Sequence, residues 1–151
     1  MKKIVFTLFL LCSGTLVLAN PISGRKARQV AHNYISKKTE ISIDNLKLVY
    51  SQQFPKSEDT AYFVFSECNS AFVIVAGDDI SIPIWAYSVE NGFGEEIPDN
   101  VKDFLDDLAN ELQAAREQGI KSDYATRQQW QQLTEWITNW TSSRSIYQKN
   151  N

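Results

Sequence analysis

The chain has 151 residues, of which 43% are hydrophobic and 22% charged, and its formal net charge is −3 at pH 7. That length suits one domain with its own core, and the apolar fraction excludes general disorder. The mild acidity argues against a nucleic-acid binder, which needs basic side chains to neutralise phosphates. One histidine and two cysteines leave little material for a metal centre, and we expect neither a metal nor another cofactor.

The N-terminal segment has the pattern of a secretory signal peptide. Two lysines precede the apolar run 4–18, and the small residue Ala19 follows it. A membrane anchor is the alternative, but the run is interrupted near its middle and is shorter than the roughly 20 residues that a span needs. Lipidation of Cys12 is a weaker alternative, because a large leucine precedes that cysteine. We therefore predict a signal peptide over 1–19, export to the periplasm or the exterior, and no stable membrane insertion afterwards.

The mature chain would hold one cysteine and one histidine, Cys68 and His32. A cysteine protease needs a thiolate with a positioned imidazole, but nothing in the spacing of these two residues supports a pair. Cys68 falls in a predicted turn and His32 within a predicted helix. With one cysteine the exported chain has no internal disulfide. We expect no catalytic residues, and therefore no enzyme.

The first half of the mature chain predicts one helix followed by four strands. Ser23 can cap a helix of about 14 residues that starts near Gly24, with its apolar residues at helical spacing. Aromatic and β-branched residues are dense in the segments that follow, and the breaks between them are short enough for hairpins. The predicted strands of this antiparallel sheet span 46–51, 61–65, 71–76 and 84–89.

The second half predicts helices, so the expected fold class is α+β, with about four antiparallel strands packed against one helix before the sheet and one or two after it. Asp99 and Asn100 stand where a helix cap is needed, and Gly119 ends that helix. Its predicted core stripe is Val101, Phe104, Leu105, Leu108, Leu112 and Ala115. A last helix is predicted over 123–140, with Trp130, Leu133, Ile137 and Trp140 on one apolar face that is buried either on the domain or on a partner, followed by a frayed polar tail, 141–151.

An acidic cluster follows the fourth predicted strand. Its ordinary interpretation is a solvated loop and helix face, whereas its functional interpretation is a surface that steers towards a basic partner. The members are Glu90, Glu95, Glu96, Asp99, Asp103, Asp106, Asp107 and Glu111.

Three consecutive segments carry a family resemblance. The run 71–79 (AFVIVAGDD), the run 83–88 (PIWAYS) and the Gly92-Phe93 pair resemble the propeptides of the streptopain family of bacterial cysteine proteases. Those propeptides have a strand of the form Phe-Val-Ile-Val-Ser-Gly-Asp, a proline-containing turn, a strand ending in Gly-Tyr-Ser, and a phenylalanine. The resemblance extends by element order over about 22–112. It implies a propeptide-like inhibitor domain over 20–140.

The resemblance also implies a function. We expect no catalytic domain to follow this propeptide-like part, and the resemblance then implies a free-standing inhibitor of streptopain-type cysteine proteases that binds one-to-one and occludes the active-site cleft. The implied protease-binding residues are Phe93, Gly94, Ile97, Pro98, Asp99 and Asn100, with Asn100 at the position that enters a pocket beside the nucleophile. Residues 97–99 depart from streptopain's own, which leaves the pocket contacts there open. The alternatives are a trans-acting folding or export partner of such a protease, and a non-inhibitory binding module.

Overall fold

A computed structural model describes residues 20–68, 70–94 and 97–135. It has the predicted α+β fold class, in which one helix precedes a four-stranded antiparallel sheet and two helical segments follow it. The elements are α1 (Gly24–Ile35), β1 (Lys47–Gln53), β2 (Thr60–Glu67), β3 (Ala71–Ala76), β4 (Ile84–Ser88) and α2 (Asp99–Glu117), and a further helical segment, α3, is described over 124–135. The predicted signal peptide, the end of the last helix and the tail lie outside the described residues.

The strands are ordered β1-β2-β3-β4, so each hairpin joins neighbours. The central pair is regular, with Val64 opposite Ile74 and Phe65 opposite Val73. The turn between β2 and β3 contains Cys68, whose φ of 38° lies in the left-handed region. Because the connections are short, each strand pairs with the next strand in the chain. The observed strand order is therefore the predicted order.

Helices cover both faces of the sheet, which explains why β2 and β3 are almost continuously apolar. Side chains alternate along a strand, so Phe63 and Phe65 point to the side of α1, while Tyr62 and Val64 point to the side of α2. The residues of β2 from 61 to 66 are all buried. The domain therefore has two apolar layers separated by one sheet.

The segment α3 packs on the α1 side of the sheet. Trp130 and Leu133 are buried in the core there, as predicted from their spacing. The indole Nε1 of Trp130 donates to the carbonyl of Ser81, 2.8 Å away, and Gln29 of α1 donates to the carbonyl of Thr134 at 2.8 Å. Hydrogen bonds to both the sheet connection and α1 thus hold α3 on the domain.

The junction after β3 holds α2 on the other face. Gly77 lies so close to β2 that a Cβ there would stand 1.8 Å from the carbonyl oxygen of Thr60. The next residue, Asp78, is fully buried, and its Oδ2 lies 3.2 Å from Nε of Arg116 near the end of α2. Arg116 also pairs with Asp59 and lies over the ring of Phe54, 4.4 Å from its centroid.

Two expectations about α2 are wrong. The helix begins at Asp99 with Pro98 in the capping position and has no side-chain cap, so neither Asp99 nor Asn100 caps it. Phe104 is 57% exposed instead of facing the core. At 100° per residue, Phe104 lies roughly a quarter turn from the centre of the buried stripe. Ala109, which the prediction omitted, lies within that stripe and is buried.

Candidate functional site

The β4–α2 loop, residues 89–98, carries most of the predicted binding residues and leads directly into α2. Glu95 and Glu96 lie outside the described residues, so the loop is described over 89–94 and 97–98. Its two described parts are fixed in different ways, the first by the sheet and the second by the helix.

Phe93 anchors the first part on the sheet. Its ring packs edge-to-face on Phe72, with centroids 5.3 Å apart, and its backbone N–H donates to the hydroxyl oxygen of Ser66 at 3.1 Å. Ser66 is buried and donates in turn to the carbonyl of Ala71 at 2.8 Å. A buried serine hydroxyl thus ties the loop to the β2–β3 hairpin.

The second part is continuous with the first turn of α2. The carbonyl of Pro98 accepts the N–H groups of Val101 and Lys102, both at 2.9 Å, and the proline ring restricts φ, here −56°. Helix α2 therefore begins without a side-chain cap, and the restricted φ of Pro98 fixes the path of the chain into the helix.

The six predicted binding residues lie on this loop and the first turn of α2. Phe93 and Ile97 are half-buried, and Gly94 is exposed together with the consecutive residues Pro98, Asp99 and Asn100. The side-chain amide of Asn100 forms no hydrogen bond within the described part of the chain, so it is available to a partner. Exposed residues at the start of α2 therefore lie on the same loop-and-helix segment as Phe93, which is packed on the sheet.

The histidine and the cysteine lie on different elements, outside the loop and α2. Nε2 of His32 lies 3.1 Å from the carbonyl oxygen of Ile41, and Cys68 is an exposed free thiol in the β2–β3 turn. Among the described residues, no group of three His, Cys, Asp or Glu side chains is arranged to hold a metal ion. No helix within the described ranges is long and apolar enough to cross a bilayer.

The outer face of α2 continues from the loop. Residues three and four apart on a helix are neighbours, and such a row of exposed side chains runs along the solvent-facing side of α2. We name it the α2 stripe; it consists of Asn100, Asp103, Phe104, Asp107 and Glu111. On its flank Lys102 pairs with Asp106, and that hydrogen bond raises the pKa of the lysine. Sequence analysis included the acids of this row but assigned Phe104 to the core.

A second surface feature was not indicated by the sequence. A groove of about 640 Å³ lies between the end of α1, β4 and α3. Tyr34 and Tyr87 meet edge-to-face in it at 5.0 Å, and Nζ of Lys38 lies 4.6 Å from the centroid of Tyr87. Hydrogen bonding between Lys38 and Tyr87 lowers the pKa of the phenol and raises that of the ammonium group. Only the tertiary packing of α1 on β4 brings these residues together.

Comparison with known protein families defines the class. The sequence model that matches the chain describes protease inhibitors. The match covers residues 19–112, and the chain belongs to the Spi protease inhibitor family. Comparison with curated proteins and with solved structures gives no significant match.

Proposed function

We propose that this protein inhibits streptopain-type cysteine proteases by inserting the β4–α2 loop and the first turn of α2 into the active-site cleft. The family match carries the proposal, because its range contains the sheet, the whole loop and α2 up to Leu112. The same range carries the resemblance to streptopain propeptides. The proposed inhibition is non-covalent.

Preorganisation of the loop supports this role. Binding is weakened when flexible segments must become ordered, so a loop that is fixed before binding keeps more of its contact energy. The hydrogen bond from Phe93 to Ser66 fixes one described part, and the ring of Pro98 restricts the other. The two described parts of the loop therefore need little further ordering on binding.

Asn100 is the residue that we assign to the pocket beside the nucleophile. It is exposed on the first turn of α2, and within the described residues its amide has no partner to lose on binding. A primary amide offers two donors and one acceptor group, which must all find partners when the protease buries it. A polar pocket fits this requirement, and an occupied pocket blocks access to the nucleophile.

Export forms a second part of the proposal. We propose that the segment 1–19 is removed after Ala19, so that the inhibitor meets its protease outside the cytoplasm. N-terminal sequencing of the protein recovered after expression with its own leader tests this. A mature N-terminus at Asn20 agrees with the proposal, and an intact Met1 contradicts it.

Protection of the protease's own cysteine tests occlusion of the cleft. The mature protease is mixed with the inhibitor and treated with a thiol-alkylating reagent, and labelling of its catalytic cysteine is followed by mass spectrometry. We expect at least tenfold slower labelling in the complex. Labelling at the free-enzyme rate in a demonstrated complex would contradict occlusion.

The variant Asn100→Ala tests the assigned residue. We expect it to weaken inhibition by more than tenfold, which corresponds to about 1.4 kcal/mol or more of binding free energy. Asn110→Ala is the matched control, because Asn110 is also exposed on α2 but lies about 15 Å further along the helix axis. Equal inhibition by the two variants would remove Asn100 from the mechanism.

A further inference from the structure

Phe104 is an apolar side chain in an otherwise polar row. It is 57% exposed and lies one helical turn after Asn100 in the α2 stripe. Single exposed apolar residues are common on protein surfaces and need no explanation by themselves. Phe104 differs in its position, because it continues the surface that begins at the loop tip.

The carboxylates around Phe104 form no salt bridge within the described residues. Asp106 and Glu117 of the same helix pair with Lys102 and Lys56. Asp103, Asp107 and Glu111 have no salt-bridge partner there, and the charge of Asp103 contributes only a small part of the raised pKa of Lys102. These three acids are spaced four residues apart. Like charges at that spacing destabilise a helix slightly. A basic partner would relieve this repulsion.

We infer that the α2 stripe is a second contact with the protease, in which Phe104 enters an apolar pocket bordered by lysine or arginine side chains. This inference rests on the proposed function. Aromatic residues, phenylalanine among them, are enriched in protein interfaces, where a polar rim surrounds the buried centre. The carboxylates add steering, since complementary charges raise the association rate. The stripe also continues from Asn100, so both contacts can form in one complex.

The same charges argue against a second copy of this chain as the partner. Two stripes that met face to face would bring six carboxylates together, three from each copy, without a described cation between them. Like-charge juxtaposition across an interface is strongly unfavourable. We therefore assign the stripe contact to the protease.

Binding to an inactive protease, with its catalytic cysteine replaced, separates this contact from inhibition. The variants are Phe104→Ala, the double variant Asp103→Asn with Asp107→Asn, and Tyr124→Ala as the matched control, since Tyr124 is 69% exposed on α3. We expect Phe104→Ala to weaken binding at least tenfold, mainly through faster dissociation. The double variant should associate more slowly and should lose most of the wild type's salt dependence. Tyr124→Ala should bind like the wild type.

The outcomes distinguish this inference from the proposed function. If the wild type inhibits and Phe104→Ala binds as tightly as Tyr124→Ala, the stripe contact is overturned and inhibition stands. If the wild type binds without inhibiting and Phe104→Ala weakens binding, the stripe contact stands and cleft occlusion fails. If the wild type neither binds nor inhibits, both fall. A dimer of the free protein that Phe104→Ala abolishes would assign the stripe to self-association and overturn the inference.

Discussion

Arg116 and Asp78 form a buried ion pair that joins the end of α2 to the junction after β3. Nε of Arg116 lies 3.2 Å from Oδ2 of Asp78, and the Asp78 side chain is fully buried. The other oxygen, Oδ1, accepts the N–H of Ile80 at 3.0 Å. Because the loop and the α2 stripe depend on how α2 sits on the sheet, this pair contributes to the geometry of the candidate site.

Removal of the arginine should destabilise the fold strongly. Arg116→Ala leaves the carboxylate of Asp78 buried without its cation, a change that typically costs about 3–5 kcal/mol. Chemical denaturation measures it, with Arg127→Ala as the control, because Arg127 is an exposed arginine on α3 and its loss should change stability by less than about 0.5 kcal/mol. Equal stability of the two variants would contradict a structural role for the pair.

The same carboxyl predicts a pH dependence. Burial raises the pKa of Asp78 above its ordinary value of 3.8 and outweighs the opposing effects of the Ile80 N–H and Arg116. A group whose pKa is raised on folding binds its proton more tightly in the folded state. Its contribution to stability is therefore fully present below the unfolded pKa and is lost as pH rises through the folded pKa.

Comparison with Asp78→Asn isolates this contribution, since the other carboxyls titrate in both proteins. As pH falls from 7 to about 4, the free energy of unfolding of the wild type should rise relative to that of Asp78→Asn. Urea denaturation at several pH values gives the difference. If the wild type instead loses stability relative to Asp78→Asn as pH falls, the ion pair with Arg116 lowers the pKa of Asp78 more than burial raises it.

Gly77 should tolerate no side chain. Gly77→Ala would put a Cβ 1.8 Å from the carbonyl oxygen of Thr60, so β2 and β3 would have to separate. We expect a loss of about 3 kcal/mol or more in unfolding free energy. Gly24→Ala is the matched control, because its Cβ would lie 3.6 Å from Phe63, an ordinary contact. Similar melting temperatures for the two variants would contradict the close approach.

Loss of the Ser66 hydroxyl should weaken inhibition, although this buried residue does not contact the protease. Ser66→Ala removes the acceptor of the Phe93 N–H, which costs about 1–3 kcal/mol if that donor stays unpaired. We expect faster hydrogen exchange at the Phe93 amide and inhibition weakened several-fold, because the loop loses its anchor. Ser70→Ala, at an exposed serine of the same hairpin, serves as control. Unchanged exchange in Ser66→Ala would show that the ring of Phe93 alone holds the loop.

The sequence allowed the strands and their order to be predicted, because the local signals agreed with the tertiary fold. The dense apolar runs of β2 and β3 reflect burial on both faces. The core role of Trp130 and Leu133 also followed from helical spacing. These features depend on residues that are close together in the sequence, and the periodic pattern of such residues indicates which side chains are buried.

Features that depend on distant parts of the chain were not predictable. No local signal in the sequence showed that Arg116 would pair with the buried carboxylate of Asp78. Phe104 fits a helical stripe by spacing alone, but the angle at which α2 meets the sheet leaves it outside. The start of α2 was missed because Asp99 is a good cap by residue type, whereas the backbone of Pro98 supplies the first helical hydrogen bonds.

The central claim, inhibition of a streptopain-type protease, is tested most directly by titrating the purified protein into the mature protease at a known concentration of active sites, with papain as the control enzyme. The account predicts a loss of activity that is complete at one inhibitor per active site, and no effect on papain. Full protease activity in the presence of excess inhibitor, shown to be folded by its near-UV circular dichroism, would contradict it.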